Sequence, residues 1–228
     1  MAFGRHWEWR GFGNLEGSLR SAIESLALKF PNHQEVTDQY LWAPGCDFNL
    51  KLRFSNFKIK RLIQKHAEGI EEWLEDEEEN YEFPLAPGVV AQAARALRIG
   101  LPERFEEPVE ESADLVRIFR ANAPLFRLIQ VKKKRWLHLA PDIGGVLVER
   151  VEIYEPENVA SVAVESPDPN ALLEVMRTLG LPASLKTMNY LKALKIWNGG
   201  GRVLGGVLCD GDCEADKHIG DQGAVENR

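Results

Sequence analysis

The 228-residue chain contains little cysteine and no long hydrophobic run. Three cysteines, an odd number, fit a reducing compartment better than a disulfide scaffold. No window holds the roughly 18 consecutive apolar residues of a membrane span. The N-terminal sequence MAFGRHWEWRGFG has no apolar signal core. We therefore expect a cytoplasmic protein without a membrane partner.

The chain also lacks the positive charge of a general nucleic-acid binder. Its net charge is -7, whereas duplex binding depends on Lys and Arg that neutralise phosphates, so no duplex partner is expected. Much of the acidic excess lies in residues 68–82 and 103–111, and the basic residues cluster elsewhere. A cationic cavity inside an acidic protein is therefore compatible with this composition.

Familiar phosphate-binding and metal-binding motifs are missing as well. The segment GGGRVLGG at 199–206 lacks the Lys-Ser/Thr end and the preceding strand of a Walker loop. Cys209 and Cys213 form CDGDC without a second ligand cluster or a His pair. The sequence marks neither a nucleotide loop nor a zinc site, and no Ser/His/Asp motif is recognisable.

Two short apolar/basic alternations are the most informative feature present. Leu50-Lys51-Leu52-Arg53 and Phe57-Lys58-Ile59-Lys60 are joined by a turn through Ser55-Asn56. Because strand side chains alternate between faces, each strand carries two cations on one face. Like charges on neighbouring strands repel one another, so an anion among them would stabilise the arrangement. A solvated basic sheet face is the alternative.

Hydrophobic periodicity predicts one α+β domain, residues 1–198, followed by a disordered Gly- and Asp-rich tail, residues 199–228. The predicted strands cover residues 6–12, 35–42, 50–53, 57–60, 125–139, 146–154 and 159–165. The predicted helices cover residues 14–26, 70–80, 87–99, 112–121, 169–179 and 184–197. The helix at 70–80 is strongly acidic and is interpreted as a solvated face.

The order of charged pairs on these strands resembles the CYTH superfamily, the triphosphate tunnel metalloenzymes. The opening Glu-x-Glu-x-Lys strand of that family is similar to His6-Trp7-Glu8-Trp9-Arg10, and its Arg-x-Arg strand to Lys51-Leu52-Arg53. The following motifs match in order: Lys58-Ile59-Lys60, Lys133-Lys134-Arg135, Val148-Glu149-Arg150-Val151, Ala163-Val164-Glu165 and Asn189-Tyr190. Lys132 and Lys134 occupy the other face of the same strand, and the sequence leaves open which of the two faces points inward.

This resemblance implies an antiparallel β-barrel whose lumen binds a triphosphate and a divalent metal ion. It implies phosphate binding by six cations: Lys51, Arg53, Lys58, Lys60, Lys133 and Arg135. It implies Mg²⁺ or Mn²⁺ held by Glu8, Glu149 and Glu165, since carboxylate oxygens are the ligands these ions take. Glu8 and Arg10 would be the catalytic residues, with Arg10 neutralising the transferring phosphoryl group. The expected partner is a triphosphate or polyphosphate small molecule, and a homodimer is compatible.

Two departures from the family pattern leave the activity open. His6 and Ala163 stand where the family has the first Glu of each acidic pair. The first hypothesis is therefore a metal-dependent triphosphatase acting on a nucleotide, thiamine or inorganic triphosphate. The second is a non-catalytic phosphate- or nucleotide-binding module that has lost the metal site. A third is an interaction protein whose acidic segment 71–79 meets a partner.

Overall fold

A computed structural model describes residues 4–15, 17–30, 32–66, 68–75, 81–102, 105–140, 143, 145–181 and 185–204. The strands of this described part are β1 (Arg5–Gly13), β2 (Ala27–Leu28), β3 (Gln34–Trp42), β4 (Phe48–Arg53), β5 (Asn56–Lys65), β6 (Glu71–Glu75), β7 (Tyr81–Glu82), β8 (Arg127–Ala140), β9 (Val146–Glu155), β10 (Val159–Ser166) and β11 (Lys186–Thr187). The helices are α1 (Gly17–Glu24), α2 (Pro87–Ala96), α3 (Ser112–Asn122), α4 (Pro169–Thr178) and α5 (Tyr190–Asn198). No helix among these residues is long and apolar enough to cross a membrane.

Eight of the strands form a closed antiparallel barrel in the order β10-β9-β8-β3-β4-β5-β6-β1. Closure occurs at β1, which pairs with β6 on one side and β10 on the other. The short strands β2, β7 and β11 pair with β8, β5 and β1 outside this circuit. The predicted α+β fold with an antiparallel barrel and flanking helices is confirmed.

Helices cover two parts of the outer surface of the barrel, because alternate strand residues there are apolar. Leu50, Leu52 and Phe57 point outward and pack in one buried cluster with residues of α2 and α3. Trp9 and Val148 point outward into a second cluster, with residues of α1 and α4. These packed faces leave the opposite set of side chains, which includes many charged residues, facing the lumen.

Helix α5 closes one end of the lumen. Tyr190 and Trp197 pack in a buried cluster with Phe12 of β1 and Tyr40 of β3. The side chain of Asn189 caps the helix and accepts a hydrogen bond from the backbone N–H of Lys192 at 3.0 Å. These four aromatic side chains therefore bound the lumen at this end, and we call them the aromatic floor.

The predicted acidic helix at 70–80 is wrong where the structure describes it. Glu71–Glu75 is strand β6, and residues 76–80 lie outside the described residues. Tertiary context decides this segment, because β6 fills the gap between β1 and β5 and closes the barrel. Nearby cations compensate its carboxylates: Lys65 lies 4.0 Å from Glu71 and Lys60 lies 3.5 Å from Glu75.

The C-terminal region differs from the prediction in two places. The predicted helix 184–197 begins later, at Tyr190, because Lys186–Thr187 first pairs with β1; residue 184 lies outside the described residues. Val203, within the predicted tail, is buried. Residues 205–228, with Cys209 and Cys213, lie outside the described residues.

Candidate functional site

The barrel lumen contains a charged cavity of about 360 Å³. Ten predicted site residues all line it: Glu8, Arg10, Lys51, Arg53, Lys58, Lys60, Lys133, Arg135, Glu149 and Glu165. A larger cavity of about 550 Å³ lies outside the barrel between Phe48 and α2, and none of these ten residues lines it. The chemistry implied by the sequence therefore belongs to the lumen.

Strand alternation explains how the lumen gathers these residues. Lys133 and Arg135 of β8 face inward, which settles the orientation that the sequence left open. Lys132 and Lys134 form ion pairs on the outer side, at 2.9 Å with Glu155 and 3.4 Å with Glu35. His138 is buried beside the backbone oxygen of Leu26 and does not line the lumen, in agreement with a structural role.

Cations dominate the part of the lumen next to Lys51. Burial lowers the pKa of Lys51 well below its usual value, and repulsion from Arg53, Lys133 and Lys58 lowers it further; only Asp38 opposes these effects. The Lys51 ammonium also lies 5.8 Å from the centre of the Tyr40 ring. A partly buried lysine whose neighbours are mostly cations is a position that an anion would stabilise.

Asp38 organises this cationic region, and the sequence analysis did not identify it. Its carboxylate accepts hydrogen bonds from Arg53, with Nη2 to Oδ2 at 2.6 Å, and lies 2.9 Å from Nζ of Lys133. Burial opposes ionisation, but Lys133 and Arg53 hold the pKa of Asp38 well below its usual range. The carboxylate therefore stays ionised and fixes two phosphate-binding candidates in position.

Tyr190 of the aromatic floor lies beneath the same cations. Its hydroxyl accepts a hydrogen bond from Nζ of Lys133 at 3.1 Å. Its ring centre lies 4.7 Å from that ammonium and 4.8 Å from the guanidinium carbon of Arg10. The tyrosine matched in the sequence on family resemblance thus contacts two cations of the lumen through its ring face.

Carboxylates occupy the opposite part of the lumen, and each is paired with cations of the chain. The Glu8 carboxylate accepts hydrogen bonds from Arg10 Nε at 2.8 Å and from Lys60 Nζ at 2.5 Å. Glu149 contacts Arg10 at 3.1 Å and Arg135 at 2.6 Å. Burial opposes ionisation of Glu8, yet Lys60 and Arg10 lower its pKa to about 2. Both carboxylates are therefore ionised at neutral pH.

Glu165 differs from these two carboxylates. Burial raises its pKa to about 7, and the negative charges of Glu8 and Glu149 contribute to the increase. It is a quarter exposed, and Arg10 Nη2 lies 3.8 Å from its Oε1. A carboxyl group that titrates near neutral pH inside a cavity has the properties of a general base or acid.

His6 occupies a position where the resembled family has a carboxylate. Burial and, to a smaller extent, the Lys60 ammonium lower its pKa to about 4, so the ring is neutral at pH 7. Its Nε2 atom is buried and has no hydrogen-bond partner among the described residues. His6 lies directly opposite Trp73 across the β1–β6 ladder. It therefore adds no negative charge to the lumen.

The three carboxylates predicted to hold Mg²⁺ or Mn²⁺ do not fit a metal ion as they are arranged. Both oxygens of Glu8 and both oxygens of Glu149 are engaged with Arg10, Lys60 or Arg135. Within the described residues, no group of three or more His, Cys, Asp or Glu side chains is placed to hold a metal. A bound ion would have to displace cations that the chain itself supplies.

Several further lumen residues escaped the sequence analysis as site residues. They are Lys29, Asn49, Glu75 and Tyr190, which line the cavity, and Asp38, which pairs with two of its cations. One signal was present: Asp38 and Tyr40 are two residues apart on a predicted strand and so share a face. Lys29 and Glu75 lie at the ends of elements, where no periodic pattern marks the inward direction.

Comparison with known proteins gives matches in three-dimensional structure. No family model and no curated protein matches the chain. The PH1012 protein from Pyrococcus horikoshii OT3 is 18% identical over 81% of this chain and 98% of its own, with a TM-score of 0.47. The putative adenylyl cyclase HpAC1 from Hippeastrum, described as having a dominant triphosphatase activity, is 14% identical over 87% and 98%, with a TM-score of 0.49.

The inorganic triphosphatase NE1496 is a further similar structure, 12% identical over 78% of this chain and 82% of its own, with a TM-score of 0.31. At these identities and TM-scores, the function of this chain has to be inferred from its own residues. The closed barrel of eight antiparallel strands around a lumen of Lys, Arg and Glu side chains is the fold that the resemblance in sequence implied.

Proposed function

We propose that the barrel lumen binds a triphosphate-bearing small molecule or a short polyphosphate and hydrolyses one of its phosphoanhydride bonds. The observation that carries this proposal is the environment of Lys51. A partly buried lysine beside Arg53, Lys133 and Lys58 is destabilised by repulsion and by loss of hydration. A chain of phosphates supplies several negative charges at close spacing, and so matches several cations at once.

Six cations would bind the phosphates: Lys51, Arg53, Lys58, Lys60, Lys133 and Arg135. Two of them are preorganised, because Asp38 holds Arg53 and Lys133 in place before a ligand arrives. Arg53 and Arg135 add planar forks that can grip two oxygens of one phosphate, which Lys cannot do. A rigid set of donors reduces the entropy lost on binding and favours a defined ligand position.

Hydrolysis would depend on positioning and electrostatics, as phosphoryl transfer generally does. A water oxygen attacks the terminal phosphorus, the bridging P–O bond breaks, and the shortened phosphate chain leaves with the bond electrons. Arg10 offsets the charge on the transferring phosphoryl group, and Glu8 holds Arg10 in place. Glu165 is suited to accept the proton of the water, since its pKa of about 7 allows both protonation states near neutral pH.

A second candidate function is binding without turnover. The observation that favours it is the pairing of Glu8 and Glu149 with cations of the chain, together with a neutral His6 and the small Ala163 in place of two carboxylates. Such a lumen would retain a phosphate ligand and leave it intact. Inorganic triphosphate, ATP and thiamine triphosphate are the probes that separate ligand classes.

Calorimetry with each probe, combined with a phosphate-release assay, tests both candidates. Lys58→Gln removes a lumen cation, and Lys134→Gln is the matched control on the outer surface. We expect Lys58→Gln to weaken triphosphate binding by about tenfold, the cost of roughly one charge-assisted contact, and Lys134→Gln to leave it unchanged. Phosphate release supports hydrolysis. Binding without release supports the second candidate, and no binding of any probe contradicts both.

A further inference from the structure

One guanidinium group contacts all three carboxylates that the sequence predicts as metal ligands. Arg10 Nε donates to Glu8 at 2.8 Å, its Nη1 and Nη2 each donate to Glu149 at 3.1 Å, and its Nη2 lies 3.8 Å from Glu165. The arginine is almost fully buried. It therefore occupies the space between the three carboxylates.

The sequence departure at Ala163 accounts for the room that Arg10 fills. Ala163 lies directly opposite Arg10 in the β1–β10 ladder and directly opposite Glu149 in the β9–β10 ladder. A methyl group between these two residues lets the guanidinium reach Glu149. Ser161 on the same face accepts a further hydrogen bond from Nη1 at 3.2 Å, and the Tyr190 ring lies beneath the group.

The remaining carboxylate oxygens are also held by cations. Lys60 donates a hydrogen bond to the second oxygen of Glu8, and Arg135 forms an ion pair with the second oxygen of Glu149. Mg²⁺ requires oxygen ligands at roughly 2.0–2.1 Å in near-octahedral geometry. It could reach Glu8 and Glu149 only after these ion pairs had separated, and Arg10 cannot give up its charge by deprotonation.

We propose that Arg10 is the resident cation of this site and takes the place of a protein-bound divalent metal. The chain then binds phosphate groups without a metal ion on Glu8, Glu149 and Glu165. The part of the inference that concerns ligand binding rests on the proposed function; the part that concerns metal binding does not. A further consequence is a preference for metal-free triphosphate, because a chelated metal removes negative charge that the lumen cations would bind.

Titration with Mn²⁺ alone, followed by the electron paramagnetic resonance signal of the free ion, tests the metal part directly. We expect no binding to the wild-type chain and about one Mn²⁺ per chain for Arg10→Gln, whose three carboxylates are no longer bridged. Arg135→Gln is the matched control. Among the residues that the structure describes, Glu149 is the ion-pair partner of Arg135, so this variant keeps Arg10 in place and should not bind Mn²⁺. Mn²⁺ binding by the wild-type chain, or none by folded Arg10→Gln, overturns the inference.

Triphosphate binding to the wild-type chain provides the second measurement and needs no variant. We expect equal or tighter binding in excess EDTA than in excess Mg²⁺. A loss of affinity in EDTA of about tenfold or more would contradict the role of Arg10, even if Arg10→Gln did not fold. Absence of triphosphate binding under both conditions would contradict the proposed function and leave the Mn²⁺ result to decide the role of Arg10.

Discussion

The carboxylate of Asp38 lies 2.9 Å from the ammonium of Lys133, and both side chains are excluded from solvent. The same carboxylate forms two hydrogen bonds with Arg53. The single negative charge of Asp38 thus offsets part of the positive charge of two side chains, Lys133 and Arg53, near the Tyr190 ring. This surplus of positive charge is present in the free protein, and under the proposed function a bound anion would offset it.

Replacing Asp38 with Asn should strongly destabilise the free protein. Two buried cations would lose their partner, which typically costs about 3–5 kcal/mol in the free energy of unfolding. Triphosphate should recover more stability in Asp38→Asn than in the wild-type chain, because the ligand supplies the missing negative charge. Urea unfolding with and without triphosphate measures both effects. Glu35→Gln, an exposed residue of the same strand, is the control and should change stability little.

Equal stability of Asp38→Asn and the wild-type chain would contradict this account of the buried network. If Asp38→Asn is less stable but triphosphate stabilises it no more than the wild-type chain, the structural role of Asp38 holds. That result would count against a bound anion near Asp38.

Replacing Lys51 with Met should separate stability from ligand binding. The partly buried ammonium is repelled by its neighbours, so an apolar side chain of similar length should raise the free energy of unfolding by about 1 kcal/mol. The same change should lower triphosphate affinity by about tenfold, since it removes a phosphate contact. Thermal unfolding and calorimetry measure the two quantities. Lower stability together with undiminished affinity would be the opposite of what this role for Lys51 predicts.

The inward faces of β4 and β5 could be predicted from sequence, because their cations recur at every second residue. Lys51 with Arg53, and Lys58 with Lys60, alternate with apolar residues that pack against α2 and α3. The run Lys132 to Arg135 offers cations on both faces, so its alternation carries no information. Only pairing with β3 and β9 fixes which two of its side chains enter the lumen.

The partners of these cations could not be predicted, because ion pairs depend on contacts between residues far apart in the chain. Arg10 and Glu149 are separated by 139 residues and meet only when β1, β10 and β9 lie side by side. Strand β6 was missed for a related reason. Its acidic composition favours a solvated helix locally, whereas closure of the barrel requires a strand between β1 and β5.

The raised pKa of Glu165 predicts a pH dependence of phosphate release. A general base acts in its ionised form, so the rate should rise as pH increases through about 7. Glu165→Gln should abolish this limb of the pH–rate profile. His6→Gln is the control: its pKa of about 4 keeps the ring neutral across this range, and its replacement should leave the limb in place. A limb that persists in Glu165→Gln would assign the titration to another group.

The same carboxyl should affect stability independently of any activity. Between pH 4.5 and about 7 the folded protein keeps a proton on Glu165 that the unfolded chain has released. The free energy of unfolding therefore falls as pH rises through this window, on the order of 3 kcal/mol for this group. Urea unfolding of the wild-type chain and Glu165→Gln at several pH values isolates the contribution. Parallel pH profiles for the two proteins would show that Glu165 titrates normally.

The C-terminal segment is held to the barrel by one buried carboxylate. Glu157 accepts hydrogen bonds from the Trp197 indole N–H at 3.0 Å and from the backbone N–H groups of Val203 and Leu204 at 2.7 and 3.2 Å. Glu157→Gln keeps the shape of the side chain but removes its negative charge and one acceptor oxygen. We expect the free energy of unfolding to fall by about 1–3 kcal/mol.

Trypsin cleavage at the exposed Arg202 reports on this attachment, because a protease needs the local chain to leave the barrel surface. Cleavage should be faster in Glu157→Gln, detected as a fragment that ends at Arg202. The control is Glu155→Gln, which is two residues away; its half-exposed carboxylate pairs with Lys132 on the surface, so cleavage should be unchanged. Equal rates in Glu157→Gln and wild type would mean that α5 and Val203 hold the segment by apolar packing without help from Glu157.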